Sequence, residues 1–263
     1  AHRCQIPVYG YGMMLRQEGI ADLKARFADE AIAIKQSGFV ATKMKVGLGP
    51  KPDLELAAAV RKAIGDEYRF MVDANHCYTT SDAFHVGRGL EDLNAYWFEE
   101  PIAPEDHAGY RELRAGLKIN ISGGEAEFNR WGWRSLLETR GLDIAQPEVC
   151  ALGGISEYLR VLALCHAHFT PVVNHVWGSA VAVAANMHLL AAMPDLPGGL
   201  HPWDPMLEFD TTDNKFRDNL LQQPLNIQNQ VASNNGYVAL PQGPGLGVSP
   251  DRDVLNHYNI NNS

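Results

Sequence analysis

Three acidic residues, Asp73, Glu99 and Glu125, close the apolar runs FMVD, YWFE and NISGGE, and successive members stand 26 residues apart. Carboxylates gathered away from water repel one another unless they take up protons or a cation, and an all-oxygen set selects a hard ion such as Mg²⁺. One such acid alone reads equally well as a helix N-cap or an ion-pair partner. Three at equal spacing read as a ligand set. Glu100 falls on the opposite side of an alternating strand, so Glu99 is the expected ligand of the pair.

Basic residues accompany the acids. Lys43 and Lys45 are two apart in ATKMK, so on a strand both point to one face. Two neighbouring ammonium groups disfavour each other's charge, and desolvation adds to this, which suits one of them to act as a general base. The alternative is a lysine that snorkels outward as a surface charge. His175 closes VVNH and Glu148 follows AQP. A carboxylate beside that imidazole fixes its tautomer and raises its pKa, giving a second acid–base group. Glu208 closes MLE as a hydrogen-bond donor if its pKa is raised, or else as a structural acceptor. His76, His166, His168 and His188 read as packing residues, as do Cys77 and Cys150, which have no base to activate them.

The elements that must position these groups alternate between short β-type runs and helical patterns. Strands are expected over 7–13, 41–46, 70–75, 96–100, 120–124, 143–148, 171–175 and 206–209. A helix over 20–36 stops at Gly38, another covers 53–64, and Ser81 is the expected N-cap of a third. Eight βα-type repeats without a glycine-rich nucleotide loop predict an α/β fold, a modified TIM barrel of the (β/α)7β kind. In such a barrel the residues that close the strands share one mouth. Residues 1–213 are expected to form the barrel and 214–263 an irregular extension of the same domain, with short strands over 225–228 and 235–240.

Composition narrows the partners. The 263 residues are 46% hydrophobic and 20% charged, enough to bury a sizeable core. A net charge of −9 without a basic tract argues against nucleic acid or anionic lipid as a partner. The apolar stretch 176–193 is interrupted by Ser179, Asn186 and His188 and reads as a buried helix rather than a membrane span. Four scattered cysteines without a CxxC pair suit a reducing, cytoplasmic setting.

The motifs ATKMKVG, VDAN, WFEEP, SGGE, DIAQPE with LGG, NHVWG and LEFD, in this order, resemble the enolase superfamily of the mandelate racemase/muconate lactonizing enzyme type. DANHCY, EEPIAPED, QPEVCALGGISE, HVWGSAV and PQGPGLG bring the chain nearest to the branch of acid-sugar dehydratases and galactarolactone cycloisomerases. The resemblance implies that Asp73, Glu99 and Glu125 hold Mg²⁺, with Mn²⁺ as a substitute, and that a sugar acid or its lactone is the carboxylate substrate. It implies that Lys45 abstracts the alpha proton, that Lys43 polarises the carboxylate, that His175 acts from the other face and that Glu208 supports the developing oxyanion. Dehydration, cycloisomerisation and epimerisation all remain open outcomes. A homo-oligomer is also implied.

Two departures stand out. Glu148 occupies a place where the family usually has Asp, and its extra methylene is expected to shift the imidazole or the strand. The N-terminal capping domain of the family is absent from this sequence, which keeps a non-catalytic barrel among the readings. A Schiff-base aldolase using Lys43 or Lys45 is the third reading, and it leaves the acidic trio without a purpose.

Overall fold

The computed structural model describes residues 2–195, 203 and 205–259. Strand and helix alternate from the start: β1 (Gln5–Tyr11), α1 (Ile20–Gln36), β2 (Ala41–Lys45), α2 (Pro50–Ile64), β3 (Arg69–Asp73), α3 (Thr80–Asp92), β4 (Trp97–Glu99), α4 (His107–Gly116), β5 (Asn120–Gly123) and α5 (Asn129–Thr139). Next come β6 (Ile144–Ala145), the single-turn α6 (Val149–Leu152), α7 (Ile155–Ala167), α8 (Ala180–Ala192) and β7 (Leu207–Asp210). The C-terminal part adds α9 (Lys215–Asn219), α10 (Ile227–Ser233), β8 (Tyr237–Ala239) and α11 (Arg252–His257). No described helix is long and apolar enough to cross a membrane.

The strands β6-β5-β4-β3-β2-β1-β7 pair in parallel in that order. β8 joins the first residues of β1 in the antiparallel sense. This is the α/β, TIM-barrel-like arrangement that the alternation predicts, and each crossover helix covers the outer face of the sheet. α1 shows why: Leu23, Phe27, Ala31 and Ile34 recur at helical spacing and are the residues it buries. On the inner face Tyr9, Ala41, Met71, Trp97, Ile144, Val173 and Met206 form one buried cluster.

Several boundaries differ from the sequence expectation, each for a local reason. The sixth strand stops at Ala145, because Pro147 has no N–H with which to extend the ladder. The seventh, expected over 171–175, is a single bridge between Ala145 and Val172. The N-cap of α3 is Thr79, whose side chain accepts from Asp82 N, so Ser81 lies inside the helix. Among the described residues of the C-terminal part only Tyr237–Ala239 is a strand; 225–228 lead into α10 instead.

Candidate active site

Strand register assembles one side of the site. Lys45 pairs with Asp73 and Asp73 with Glu99 in one row across β2, β3 and β4, so the three side chains leave the sheet on the same face at one level. Lys43 lies one inward-facing position deeper. Glu125 follows β5 through Gly124, whose φ of +114° is a conformation that glycine adopts without strain. Asp73, Glu99 and Glu125 each offer one oxygen, and these atoms all lie within 4.8 Å of one another. That hard, all-oxygen donor set fits a divalent ion such as Mg²⁺.

Each carboxylate of the trio also carries at least one basic partner. Lys45 is bonded to Asp73, Lys43 Nζ donates to Glu99 Oε1 at 2.5 Å, and His175 Nε2 is 3.2 Å from Glu125 Oε2. Lys43 is 1% exposed and lies 2.5 Å from Glu208 Oε1 and 3.4 Å from Asp73 Oδ2. Burial alone lowers its pKa, but Glu208 and Glu99 outweigh that and hold it well above the usual range. Its acidic neighbours therefore favour the charged form of Lys43.

The acids divide by their neighbours. Burial raises Asp73, yet Lys43 and Lys45 overcome it and leave its pKa below the ordinary value. Burial and the charge of Asp73 push Glu99 well up, and burial raises Glu125. Glu208 falls below its ordinary value because Lys43 and His175 outweigh its burial. It accepts from Val176 N at 2.8 Å, which is the acceptor role and not the donor role.

His175 and Glu148 meet, with Nδ1 and Oε2 2.9 Å apart. The longer side chain fits because Glu148 has left the strand: it caps α6, and its Oε1 accepts from Cys150 N at 2.9 Å. Burial lowers the imidazole pKa, but the hydrogen bond to Glu148 and the charges of Glu208 and Glu125 carry it up to about 9.

The structure adds residues that sequence reasoning missed. Glu99 Oε2 accepts from Trp97 Nε1 at 2.9 Å and from Gln146 Nε2 at 2.7 Å, so with Lys43 on Oε1 this carboxylate is fixed on both oxygens. The signal was available, since Trp97 is two residues before Glu99 and Gln146 two before Glu148. Tyr11 covers both lysines, its ring centroid 5.3 Å from Lys43 Nζ and 5.9 Å from Lys45 Nζ. Glu100, at φ +39°, is buried, and its Oε2 lies 2.7 Å from His76 Nε2. His76 is thus an exposed residue of the mouth, not a packing histidine. His166 and His188 are half-buried and His168 is exposed. Cys77 and Cys150 are exposed rather than packed, and partial burial pushes the Cys77 thiol up to about 11.

A TIM-barrel-like sheet thus carries acids on three successive βα units, with lysines at one end of the trio and an imidazole at the other. Comparison with known proteins agrees: the chain belongs to the Enolase C-terminal domain-like family, which residues 26–254 match. It is 40% identical over 233 residues to the D-galactarolactone cycloisomerase of Agrobacterium fabrum, covering 89% of this chain and 60% of that relative. The arabinonate dehydratase of Saccharolobus solfataricus is 30% identical over 238 residues, covering 90% of this chain and 60% of the relative. The chain thus spans about 60% of the length of these curated relatives. Among solved structures, the 3,6-anhydro-D-galactonate cycloisomerase of Zobellia galactanivorans superposes with a TM-score of 0.83 at 37% identity, over 97% of this chain and 66% of that one.

Proposed function

We propose that this chain carries the site of a Mg²⁺-dependent lyase or isomerase, which removes the proton alpha to the carboxylate of a sugar acid or its lactone and then eliminates at the beta carbon. The convergence of Asp73, Glu99 and Glu125 within 4.8 Å supports this reading most directly, and the relatives act on substrates of this kind by name. Mg²⁺ held by the three carboxylates supplies positive charge that favours the substrate carboxylate and the second negative charge that develops on it. Lys45, 17% exposed against the buried Lys43, is the amine that reaches the mouth and takes the alpha proton. Lys43, kept charged by its acidic neighbours, faces the developing oxyanion and stabilises it. Glu148 holds Nδ1 of His175, so it is Nε2, on the Glu125 side, that gives a proton to the leaving group. Glu208 anchors Lys43 and the Val176 backbone, fixing the lysine and the histidine segment relative to each other.

A panel of aldonates, aldarates and their lactones, assayed with Mg²⁺ and with EDTA, tests the proposal. Turnover is expected with Mg²⁺, is lost in EDTA and is abolished by Lys45→Met. Turnover that persists without a divalent ion overturns it.

A further inference from the structure

His175 sits on a segment that the sheet barely holds. Among the described residues the ladder beside it consists of Ala145 N donating to Pro171 O at 2.9 Å and Val173 N donating to Ala145 O at 3.0 Å, and 174–178 show no strand pairing. A catalytic side chain needs its backbone fixed to a fraction of an ångström, and a loop supplies that less well than a strand does. Something other than the sheet must fix this one.

On the inner side the hold is Val176 N donating to Glu208. On the outer side it is a chain of side-chain hydrogen bonds set in an otherwise apolar layer. Tyr158 Oη donates to Asn174 Oδ1 at 2.7 Å, Asn174 Nδ2 donates to Asn186 Oδ1 at 2.7 Å, and Asn186 Nδ2 donates to Ala182 O at 3.0 Å. Tyr158, Asn174 and Asn186 are each 0% exposed.

The chain has only one consistent direction. Ala182 O is an acceptor, so Asn186 must turn its Nδ2 toward it and its Oδ1 toward Asn174. Asn174 must then present Nδ2 to Asn186 and Oδ1 to the tyrosine hydroxyl. A flip of either amide sets acceptor against acceptor in a buried site, where an unmade hydrogen bond is expensive. Apart from Asn186 and the half-buried His188, α8 is built of small and apolar residues, and asparagine is a poor helix former, so local propensity does not account for Asn186.

We propose that Asn174, locked by Tyr158 and Asn186, is a positioning residue for His175. Alternation along the segment turns Val173 and His175 inward and Asn174 outward, so fixing the Asn174 side chain fixes the backbone from which the imidazole projects. The two clamps, Asn174 outside and Glu208 inside, bracket His175. The proposal rests on the reading of His175 as the acid–base group of the proposed reaction.

The test uses Tyr158→Phe, Asn186→Leu and the double variant, none of which touches the mouth. The native chain should give one sharp imidazole Cε1–Hε1 NMR signal for His175, and each variant should broaden or split it. With an acid-sugar substrate, kcat should fall about ten- to a hundredfold while KM and Mg²⁺ affinity stay within about twofold. Because the residues act as one unit, the double variant should fall no further than the worse single variant. A lower melting temperature with an unchanged His175 signal and an unchanged kcat overturns the proposal, as do additive losses in kcat. Should Asn186→Leu fail to fold, Tyr158→Phe, which removes one oxygen, decides alone. Should the native chain turn over no acid sugar, the proposed function fails, and the NMR signal still decides the positioning role.

Discussion

Gln146 Nε2 donates to Glu99 Oε2 across 2.7 Å, joining the end of the sixth strand to a carboxylate of the fourth in a fully buried setting. With Trp97 on the same oxygen and Lys43 on the other, Glu99 has no freedom to rotate away from Asp73 and Glu125. Residues that orient a metal ligand tune affinity without touching the ion.

Gln146→Leu keeps the volume and removes the donor. Mg²⁺ affinity measured by calorimetry is expected to fall about 10- to 100-fold, with the melting temperature nearly unchanged. Unaltered affinity would show that Trp97 and Lys43 hold Glu99 without it.

Gly124→Ala acts on the third proposed ligand, Glu125. At φ +114° a side chain is strained, and a Cβ there would run into the Trp133 ring. The variant is expected to lose about 2 kcal/mol or more in urea denaturation, from strain and overpacking together. It should also weaken Mg²⁺ binding, since Glu125 is the next residue. Native stability would contradict the backbone argument.

Glu148→Gln tests the histidine. The folded pKa of about 9 is raised above the ordinary 6.5, opposed by burial and driven chiefly by the Glu148 hydrogen bond. The stability this contributes is complete below pH 6.5 and is lost as pH rises through 9. In the metal-free chain the variant should titrate closer to 6.5 by NMR and lose less stability between pH 6.5 and 9 than the native chain does. An unchanged titration would assign the shift to Glu208 and Glu125 instead.

Glu157 offers an acid-side test away from the mouth. Arg130 Nε and Nη2 donate to its two oxygens at 2.8 Å each, and Arg130 N donates to it at 2.9 Å, tying α5 to α7. These bonds hold the Glu157 carboxyl down at about 2. For a depressed acid the stabilisation is present above the ordinary value of 4.5 and disappears as pH falls through 2. The melting-temperature gap between the native chain and Glu157→Gln should therefore be full at pH 5 and close toward pH 2. A gap independent of pH would make the contact one of packing only.

Residue types and short-range spacing by themselves determined the βα alternation, the placing of Asp73 and Glu99 at the ends of successive strands and of Glu125 just past the next, and the shared face of Lys43 and Lys45. A strand has a period of two, and its last inward residue is identifiable without knowing its neighbours. Tertiary structure alone decided where the strands stop and which distant groups meet. Pro147 and the pairing available at Ala145 cut the sixth strand short, which is what lets the longer Glu148 reach His175. The hold of Gln146 on Glu99, the pairing of Glu100 with His76, and the chain from Tyr158 through Asn174 to Asn186 depend on register between elements far apart in sequence. A hydrogen bond is made or lost within a few tenths of an ångström, and no local periodicity carries that information.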